Sequence, residues 1–312
     1  MKLDFIDIGV NLSHKSFNKD RQAVINRAVA AGVSTMIVTG TSYKSSIDGQ
    51  KLAQQHPGIL FSTAGVHPHD ARNCDEQTIS SLRTLAAHKE VVAIGECGLD
   101  FNRDFSPRPV QEKWFEAQIQ LACELNLPLF LHEREAHQRF TEILSAYKNQ
   151  LDLAVVHCFT GTKEEAKIYL ELGFCLGITG WICDERRGKH LQEIVKYIPL
   201  DKLMLETDAP FLTPRDLPEK PKDGRNEPAY LPHVAQTIAQ ILKKSPEEIA
   251  SETTATAEWF SICNKPKLLQ GFFDFRFGVK VCQLTGKAIQ GILSGNSYIW
   301  DLVTFCNVRK AI

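Results

Sequence analysis

Acidic and imidazole side chains stand at the carboxyl ends of four apolar runs in this chain. They are Glu96, His132, His157 and Asp208. Ionisable residues that end buried apolar segments need a partner or a task, because an unpaired buried charge is costly. Two imidazoles and two carboxylates that meet at one point would bind Mg²⁺, Mn²⁺ or Zn²⁺, and the ligand types alone do not choose among these ions. A position left to water would make such a site hydrolytic.

Each of these four residues also has an ordinary structural interpretation. A single histidine at a strand end is commonly a hydrogen-bonded core residue, and Glu96 alone could be a buried carboxylate paired with an arginine. Independent accidents would not place acids and histidines at the same end of four separate runs, so the sequence favours a metal site. Cys158, next to His157, is expected to be a core thiol rather than a soft ligand.

The elements that must position these residues are short apolar runs rich in β-branched residues, each followed by a helical pattern. The eight runs are Phe5–Val10, Met36–Gly40, Phe61–Val66, Val91–Gly95, Leu127–His132, Leu153–Phe159, Phe174–Gly180 and Leu203–Asp208. Strands that are apolar on both faces and separated by amphipathic helices predict a parallel sheet covered by helices. Eight of them predict an α/β fold, a (β/α)₈ TIM barrel over residues 1–262. The alternative is an open doubly wound sheet, but no Gly-x-Gly-x-x-Gly follows the first run.

Two helix starts can be predicted from capping signals. Thr162 and Glu165 have the spacing of a capping box, which predicts a helix that begins directly after Thr162. Ser106 before Pro107 predicts a second helix, with the serine as its cap and the proline as its first residue.

The composition limits the class of protein. The 312 residues include 36 Lys and Arg against 37 Asp and Glu, for a formal net charge of −1. This excludes a global electrostatic grip on duplex nucleic acid but allows a local basic patch. Nine cysteines without a Cys-x-x-Cys pair, and an N-terminus without a signal-peptide core, predict a cytoplasmic protein. No apolar run is long enough to predict a transmembrane helix, so no membrane partner is expected.

Seven motifs occur in one order along residues 3–262. They are Ile6–Leu12, Ser62–Asp70, Ala93–Phe101, Val156–Gly161, Gly177–Trp181, Leu205–Pro210 and Arg225–Pro228. In sequence and order they resemble the TatD family of metal-dependent nucleases. The resemblance implies a TIM barrel of the metal-dependent hydrolase type that acts as a 3′→5′ exonuclease on single-stranded DNA and RNA. It also implies Mg²⁺ as the usual ion, a role in the repair of oxidative DNA damage, and metal-ligand roles for Glu96, His132, His157 and Asp208.

One departure from the family pattern concerns the end of the first strand. Many relatives have His-x-His there as metal ligands, whereas this chain has Gly9 and Asn11. Glycine offers no ligand atom, and an amide oxygen is a weaker ligand than imidazole. We therefore expect one firmly bound ion, with any second ion arriving together with the substrate.

The remaining polar residues at the strand ends can be given roles in phosphodiester hydrolysis. Asp208 is the candidate base that takes the proton of a water while it touches the metal. Glu206 lies two residues earlier and should point the same way along the strand, where it could assist or orient. His67 and His69 could hold the phosphate or protonate the leaving oxygen.

Substrate contacts are predicted for residues on the loops at the mouth of the barrel. They are Asn11, Arg103, Trp181, Arg186, Arg187 and Arg225. Phe101, Phe105 and Phe211 are interleaved with them, as stacking on unpaired bases requires. Ordinary solvated loop charge is the alternative for each arginine, and plain packing is the alternative for Trp181.

Two other functions fit the same barrel. The first is a metal-dependent hydrolase of a small-molecule amide or ester, although such enzymes generally use the His-x-His of the first strand and need no basic rim. The second is a barrel that has lost catalysis and binds nucleic acid or a partner protein, although all four predicted metal positions are intact. We expect the protein to be a monomer.

The last segment, residues 263–312, resembles no family motif. It carries five Lys and two Arg against two Asp, together with five Phe, one Tyr and one Trp. Such a C-terminal extension could bind nucleic acid, pack on the barrel, or be an unselected and partly disordered addition.

Overall fold

The eight apolar runs become eight strands in a computed structural model, which describes residues 3–261 apart from 152 and 187. The strands are β1 (Phe5–Val10), β2 (Val33–Val38), β3 (Leu60–Ala64), β4 (Val91–Asp100), β5 (Leu129–Arg134), β6 (Ala154–Val156), β7 (Cys175–Ile178) and β8 (Leu203–Leu205). Arg187 and the extension at 263–312 lie outside the described residues.

Nine α-helices alternate with the strands or follow them in the described part of the chain. They are α1 (Arg21–Ala30), α2 (Tyr43–Gln55), α3 (Thr78–Ala86), α4 (Arg108–Leu125), α5 (His137–Ala146), α6 (Lys163–Glu171), α7 (Lys189–Ile194), α8 (Leu231–Leu242) and α9 (Pro246–Ser261). Among these helices, none is both long and apolar enough to cross a lipid bilayer.

The sheet is parallel throughout, and each strand pairs with the next in chain order from β1 to β8. The first strand also meets the segment that follows β8. The N–H of Asp208 donates to the carbonyl oxygen of Gly9 at 2.8 Å, and the N–H of Asn11 donates to that of Ala209 at 2.7 Å. These bonds bring the two ends of the sheet together, so the predicted barrel is confirmed and the open doubly wound sheet is wrong.

Two apolar layers hold the barrel together. The larger layer lies between the strands and the surrounding helices. The smaller one contains inward-facing strand residues such as Ile8, Val92, Phe130 and Met204, because alternate residues of a strand point to opposite faces. This inner layer fills the barrel below the carboxyl ends of the strands and leaves those ends for polar side chains.

The capping signals gave one correct helix start and one wrong one. Thr162 and Glu165 form the predicted capping box at the start of α6. The helix predicted after Ser106 begins at Arg108, with Pro107 rather than Ser106 at its cap position. The Ser106 hydroxyl instead donates to the carbonyl oxygen of His69 and accepts from the N–H of Arg72, each at 3.0 Å. A bond between two loops has therefore outweighed the local capping preference.

Candidate metal centre and active site

Glu96, within β4, lies at the centre of the polar cluster. Its carboxylate is buried, and its Oε1 faces three imidazole nitrogens. These are His157 Nε2 at 2.7 Å, His132 Nδ1 at 3.1 Å and His67 Nε2 at 3.3 Å. The three histidines come from β5 and from the segments that follow β3 and β6, because the carboxyl ends of parallel barrel strands meet at one face.

The ligand atoms of this cluster suit a divalent cation. One ligand atom each from His67, Glu96 and His132 lies within 4.8 Å of the other two. Imidazole nitrogen and carboxylate oxygen together fit Zn²⁺, Mn²⁺ or Mg²⁺. Of the four ligands predicted from the sequence, the structure brings Glu96, His132 and His157 into direct contact. It adds His67, which was predicted from the sequence to hold the phosphate or to protonate the leaving oxygen.

His157 is held between two carboxylates. Its Nε2 donates to Glu96, and its Nδ1 donates to Glu206 Oε2 at 3.3 Å. Burial lowers the pKa of His157, but the charges of Glu96 and Glu206 outweigh it, so the pKa lies well above its ordinary value. Burial likewise raises the pKa of Glu96, yet the charge of His157 and the hydrogen bonds from His132 and His157 hold it well below its usual range. Glu96 and His157 therefore form a buried pair of opposite charges.

Asp100, at the end of β4, is a buried carboxylate that the sequence analysis did not include in the site. Its Oδ2 accepts from His69 Nε2 at 2.6 Å and lies 3.4 Å from His132 Nε2. Burial raises the pKa of Asp100, but the hydrogen bonds from His132 and His69 outweigh it and lower the pKa. A carboxylate behind a metal-ligating imidazole fixes its ring and tautomer. Asp100 stands four residues after Glu96, and this position was its only signal in the sequence.

His67 differs from His132 and His157, because its pKa lies below the ordinary value whereas theirs lie above it. Burial lowers its pKa to about 4, although the charge of Glu96 acts in the opposite direction. Its Nδ1 accepts from the N–H of His69 at 3.0 Å, which leaves Nε2 as the protonated nitrogen that faces Glu96. A cation could bind this nitrogen only after its proton has left, so ion binding at His67 would release a proton.

Asp208 stands where the end of β8 meets β1. It is half-buried, and its Oδ1 accepts from Asn11 Nδ2 at 2.9 Å. Burial raises the pKa of Asp208 to about 7; the charge of His157 lowers it, and the nearby charges of Glu96 and Glu206 raise it. The amide of Asn11 thus orients the carboxylate that was predicted as base and metal ligand.

Glu206 is fully buried, and two glycines make room for its carboxylate. A Cβ placed on Gly9 would overlap Glu206 Oε2, and one placed on Gly177 would lie 2.5 Å from Oε1. The same carboxylate accepts from the N–H of Cys158, a half-buried residue, as well as from His157. Glu206 therefore occupies the space that a side chain at position 9 would need, which gives a physical reason for glycine there.

The residues predicted to contact substrate are placed as follows. Arg103 is exposed and its N–H donates to Asp100 Oδ1 at 2.8 Å. Arg186 is exposed beside Asp184, at 3.7 Å. Trp181 is half-buried against the outer apolar layer. Their contacts with substrate stay predictions, as does that of Arg187.

Arg225 is engaged within the protein. It is 16% exposed, and its guanidinium donates to both carboxylate oxygens of Asp20, at 2.9 and 2.7 Å, and to the carbonyl oxygen of Ser16. Its plane also covers the ring of Phe17. These contacts give Arg225 a structural role, and its predicted contact with substrate is untested.

Two features of the mouth extend the site beyond the residues predicted from the sequence. A groove beside Asn11 is lined by two lysines and one aspartate, Lys15, Lys44 and Asp48, and by the hydroxyl residues Ser13, Thr39, Thr41, Ser42 and Ser45. Phe105 and Phe211 are 52% and 49% exposed. The ring of Phe105 lies 4.7 Å from that of His69, and the ring of Phe211 lies 5.6 Å from that of His14. The mouth thus offers exposed lysines beside Asn11 and exposed aromatic rings against His69 and His14.

The chain matches known proteins over almost all of its described part. The family described as TatD related DNase matches residues 6–260. A protein of Rahnella sp. named 3′-5′ ssDNA/RNA exonuclease TatD is 52% identical over 251 residues, which cover 80% of this chain and 95% of that protein.

Two solved structures share the fold. A TatD family hydrolase from Entamoeba histolytica has a TM-score of 0.75 at 28% identity and covers 84% of this chain and 99% of its own. A TatD homologue from Escherichia coli has a TM-score of 0.76 at 27% identity and covers 85% of this chain and 100% of its own. With its motifs, its barrel and its histidine cluster in agreement, the chain belongs to the TatD-related DNase family.

Proposed function

We propose that this chain is a metal-dependent 3′→5′ exonuclease that hydrolyses phosphodiester bonds of single-stranded DNA and RNA. The observation that carries the proposal is the meeting of His67, His132 and His157 on one buried oxygen of Glu96. It is supported by the relative of 52% identity that bears this activity in its name. No feature of the described residues favours the hydrolysis of a small-molecule amide or ester instead.

The buried cluster would hold the ion. Glu96, His132 and His67 are the first candidates, with His157 and Asp208 as the further ligands expected from the sequence. When bound, a divalent ion neutralises charge on a phosphate and activates water. We propose Mg²⁺ as this ion. Because Glu206 fills the space beside Gly9, we also propose a single firmly bound ion.

Residues of the chain would act as the base, the positioning residue and the proton donor of the reaction. Asp208, oriented by Asn11, takes the proton of the attacking water. Glu206 is a positioning residue, since its oxygens are held by Cys158 and His157. His69, which is paired with Asp100 and partly exposed, can donate a proton to the leaving oxygen.

Unpaired bases would stack on the aromatic rings at the mouth. Phe105 and Phe211 are exposed there, and a base stacked on an aromatic side chain contributes about 1–3 kcal/mol. Lys15 and Lys44 would contact the phosphates along the groove beside Asn11. A paired duplex cannot present its bases to these rings, so the proposal includes a preference for single strands.

The test uses single-stranded DNA and RNA oligonucleotides labelled at the 5′ end, with Mg²⁺, and with a chelator as the control. We expect a ladder that shortens from the 3′ end and disappears in the chelator. Glu96→Gln keeps the shape of the side chain but removes its charge and should abolish the ladder. Glu124→Gln changes an exposed glutamate paired with Arg83 and should leave the ladder unchanged.

Three results would overturn parts of this proposal. An oligonucleotide that stays intact with Mg²⁺, Mn²⁺ and Zn²⁺ would remove the nuclease activity. Immediate release of the labelled 5′ nucleotide would reverse the polarity. Two equally tight ions in a calorimetric titration without substrate would remove the single-ion site. A monomeric state, a cytoplasmic location and a role in the repair of oxidative DNA damage stay predictions.

A further inference from the structure

A second group of metal-ligating side chains lies outside the proposed active site. Cys183 ends the 3₁₀ turn Gly180–Cys183 after β7, Asp216 lies in the loop after β8, and His233 lies in the first turns of α8. One ligand atom of each lies within 4.8 Å of the other two. His233 Nε2 is 2.7 Å from Asp216 Oδ1. Three separate elements therefore bring a sulfur, a nitrogen and an oxygen to one place.

These ligand types select the ion. A thiolate, an imidazole nitrogen and a carboxylate oxygen are all ligands of zinc, whereas Mg²⁺ takes oxygen ligands and keeps several waters. In a tetrahedral zinc centre with bonds of about 2.0–2.3 Å, ligand atoms lie roughly 3.3–3.8 Å apart. The separations in the cluster are within about 1 Å of that range, and side-chain rotation can cover the difference.

The burial of the three residues leaves one side of the cluster open to water. Cys183 is 3% exposed, while the side chains of His233 and Asp216 are 21% and 48% exposed. An ion can therefore reach the buried sulfur from the side of Asp216. Water on that side can supply the fourth ligand, which zinc accepts when the protein provides three.

We propose that Cys183, Asp216 and His233 bind a zinc ion that is separate from the ion of the active site. A sulfur–zinc bond then replaces the S–H bond of Cys183, which donates to Thr237 Oγ1 at 3.4 Å, and the proton goes to solvent. Burial raises the pKa of the Cys183 thiol to about 12. Because binding releases this proton, the affinity for zinc rises with pH.

The consequence of this site lies in the turn that carries Trp181, two residues before Cys183. A bound zinc would fasten that turn to α8 and to the loop after β8. Its role would be to hold the mouth of the barrel in place, and it would take no part in the hydrolysis. Zinc should therefore raise the melting temperature by several degrees once its concentration greatly exceeds the dissociation constant.

The test is a titration of the full-length, chelator-stripped protein with Co²⁺, followed by absorbance. Thiolate bound to Co²⁺ gives a charge-transfer band in the near ultraviolet, and ligands of nitrogen and oxygen alone do not. Because the active site also takes up one Co²⁺, we expect this band to reach its maximum by two equivalents and to disappear when Zn²⁺ is added. Cys183→Ser should abolish it, and Asp216→Asn, at a position that is largely exposed, should weaken Co²⁺ binding about tenfold or more.

Matched variants separate this site from the active site and from the other cysteines. Cys158→Ser, which changes the thiol next to the histidine cluster, and Glu96→Gln should both retain the band. A band that survives Cys183→Ser would overturn the proposal, as would a wild-type protein without a band. Unchanged Co²⁺ affinity in Asp216→Asn would remove the carboxylate from the set, even if Cys183→Ser proved unstable.

Discussion

Replacement of Gly9 by alanine should destabilise the barrel by steric overlap with two buried side chains. The new methyl group would overlap Glu206 Oε2 and lie 3.1 Å from Cζ of Phe130. Neither neighbour can move freely, because Phe130 is fully buried and the Glu206 carboxylate is held by His157 and Cys158. Overpacking of this kind lowers the free energy of unfolding by about 1–3 kcal/mol.

A second substitution should relieve this cost. Glu206→Ala alone leaves His157 with one carboxylate fewer and should cost about 3–5 kcal/mol. In the double variant, the methyl group of residue 9 occupies space that the carboxylate has left. The loss of unfolding free energy in the double variant should then be smaller, by about 1–3 kcal/mol, than the sum of the losses in the two single variants.

The assay is urea unfolding followed by circular dichroism in the presence of a chelator. With a slope of about 2–3 kcal/mol per M, a coupling of about 1–3 kcal/mol corresponds to a shift of roughly 0.3–1.5 M in the urea midpoint. Gly58→Ala is the control for additivity: its φ of +80° strains an alanine, but a Cβ there meets nothing within 4 Å, so its cost is independent of Glu206. Its effect should add to that of Glu206→Ala within about 0.5 kcal/mol. Simple additivity in the Gly9 pair would refute the conclusion that Glu206 excludes a side chain at position 9.

Three further predictions concern the residues around the site. Asp100→Asn should lower Mn²⁺ affinity by about 10- to 100-fold in calorimetry, because it weakens the hold on two histidines; unchanged affinity would remove Asp100 from the support of the site. The pKa of His157 is raised above 6.5 in the folded protein, since the charges of two buried glutamates outweigh burial. The stabilisation that protonated His157 gives to the fold is therefore complete below pH 6.5, and it is lost as the pH rises toward the pKa of His157 in the folded protein. Chelator-treated protein should therefore unfold at lower urea concentration as the pH rises above 6.5, and His157→Gln should flatten this dependence; an equal slope in the variant would contradict the assignment. Arg225→Ala should lower the free energy of unfolding by about 1–3 kcal/mol, because Asp20 loses two charged hydrogen bonds. Arg186→Ala should leave stability unchanged and lower kcat/KM at low salt; the reverse pattern in these two variants would exchange their roles.

The strands and the centre of the site could be predicted from the sequence because each depends on a few neighbouring residues. An apolar run such as Val91–Gly95 indicates a buried strand, and Glu96 directly after it indicates a polar group at the end of that strand. The convergence of Glu96, His132 and His157 then follows from the geometry of any parallel barrel. The ends of the strands were less certain: β4 continues to Asp100 because it stays paired with β5 as far as Arg134.

The other features depend on contacts between distant segments. Ser106 has a local capping signal, yet its hydroxyl bonds to another loop. The sequence does not reveal that Glu206 would fill the space beside Gly9, since the two are nearly 200 positions apart. The Cys183, Asp216 and His233 group has no recognisable metal-binding spacing and exists only once β7, β8 and α8 have packed together.

The seam between β1 and the segment after β8 has a consequence for biosynthesis. Asn11 and Asp208, which are hydrogen-bonded to each other, are 197 positions apart, and the N–H of Thr207 donates to the carboxylate of Asp7, 200 positions away. Contacts of such long range form late, because closing a long loop costs entropy before any contact repays it. A chain still emerging from the ribosome has made β1 long before it has made Asp208. The proposed base therefore reaches its place beside Asn11 only when the last strand docks, and a chain that is still being synthesised lacks this arrangement.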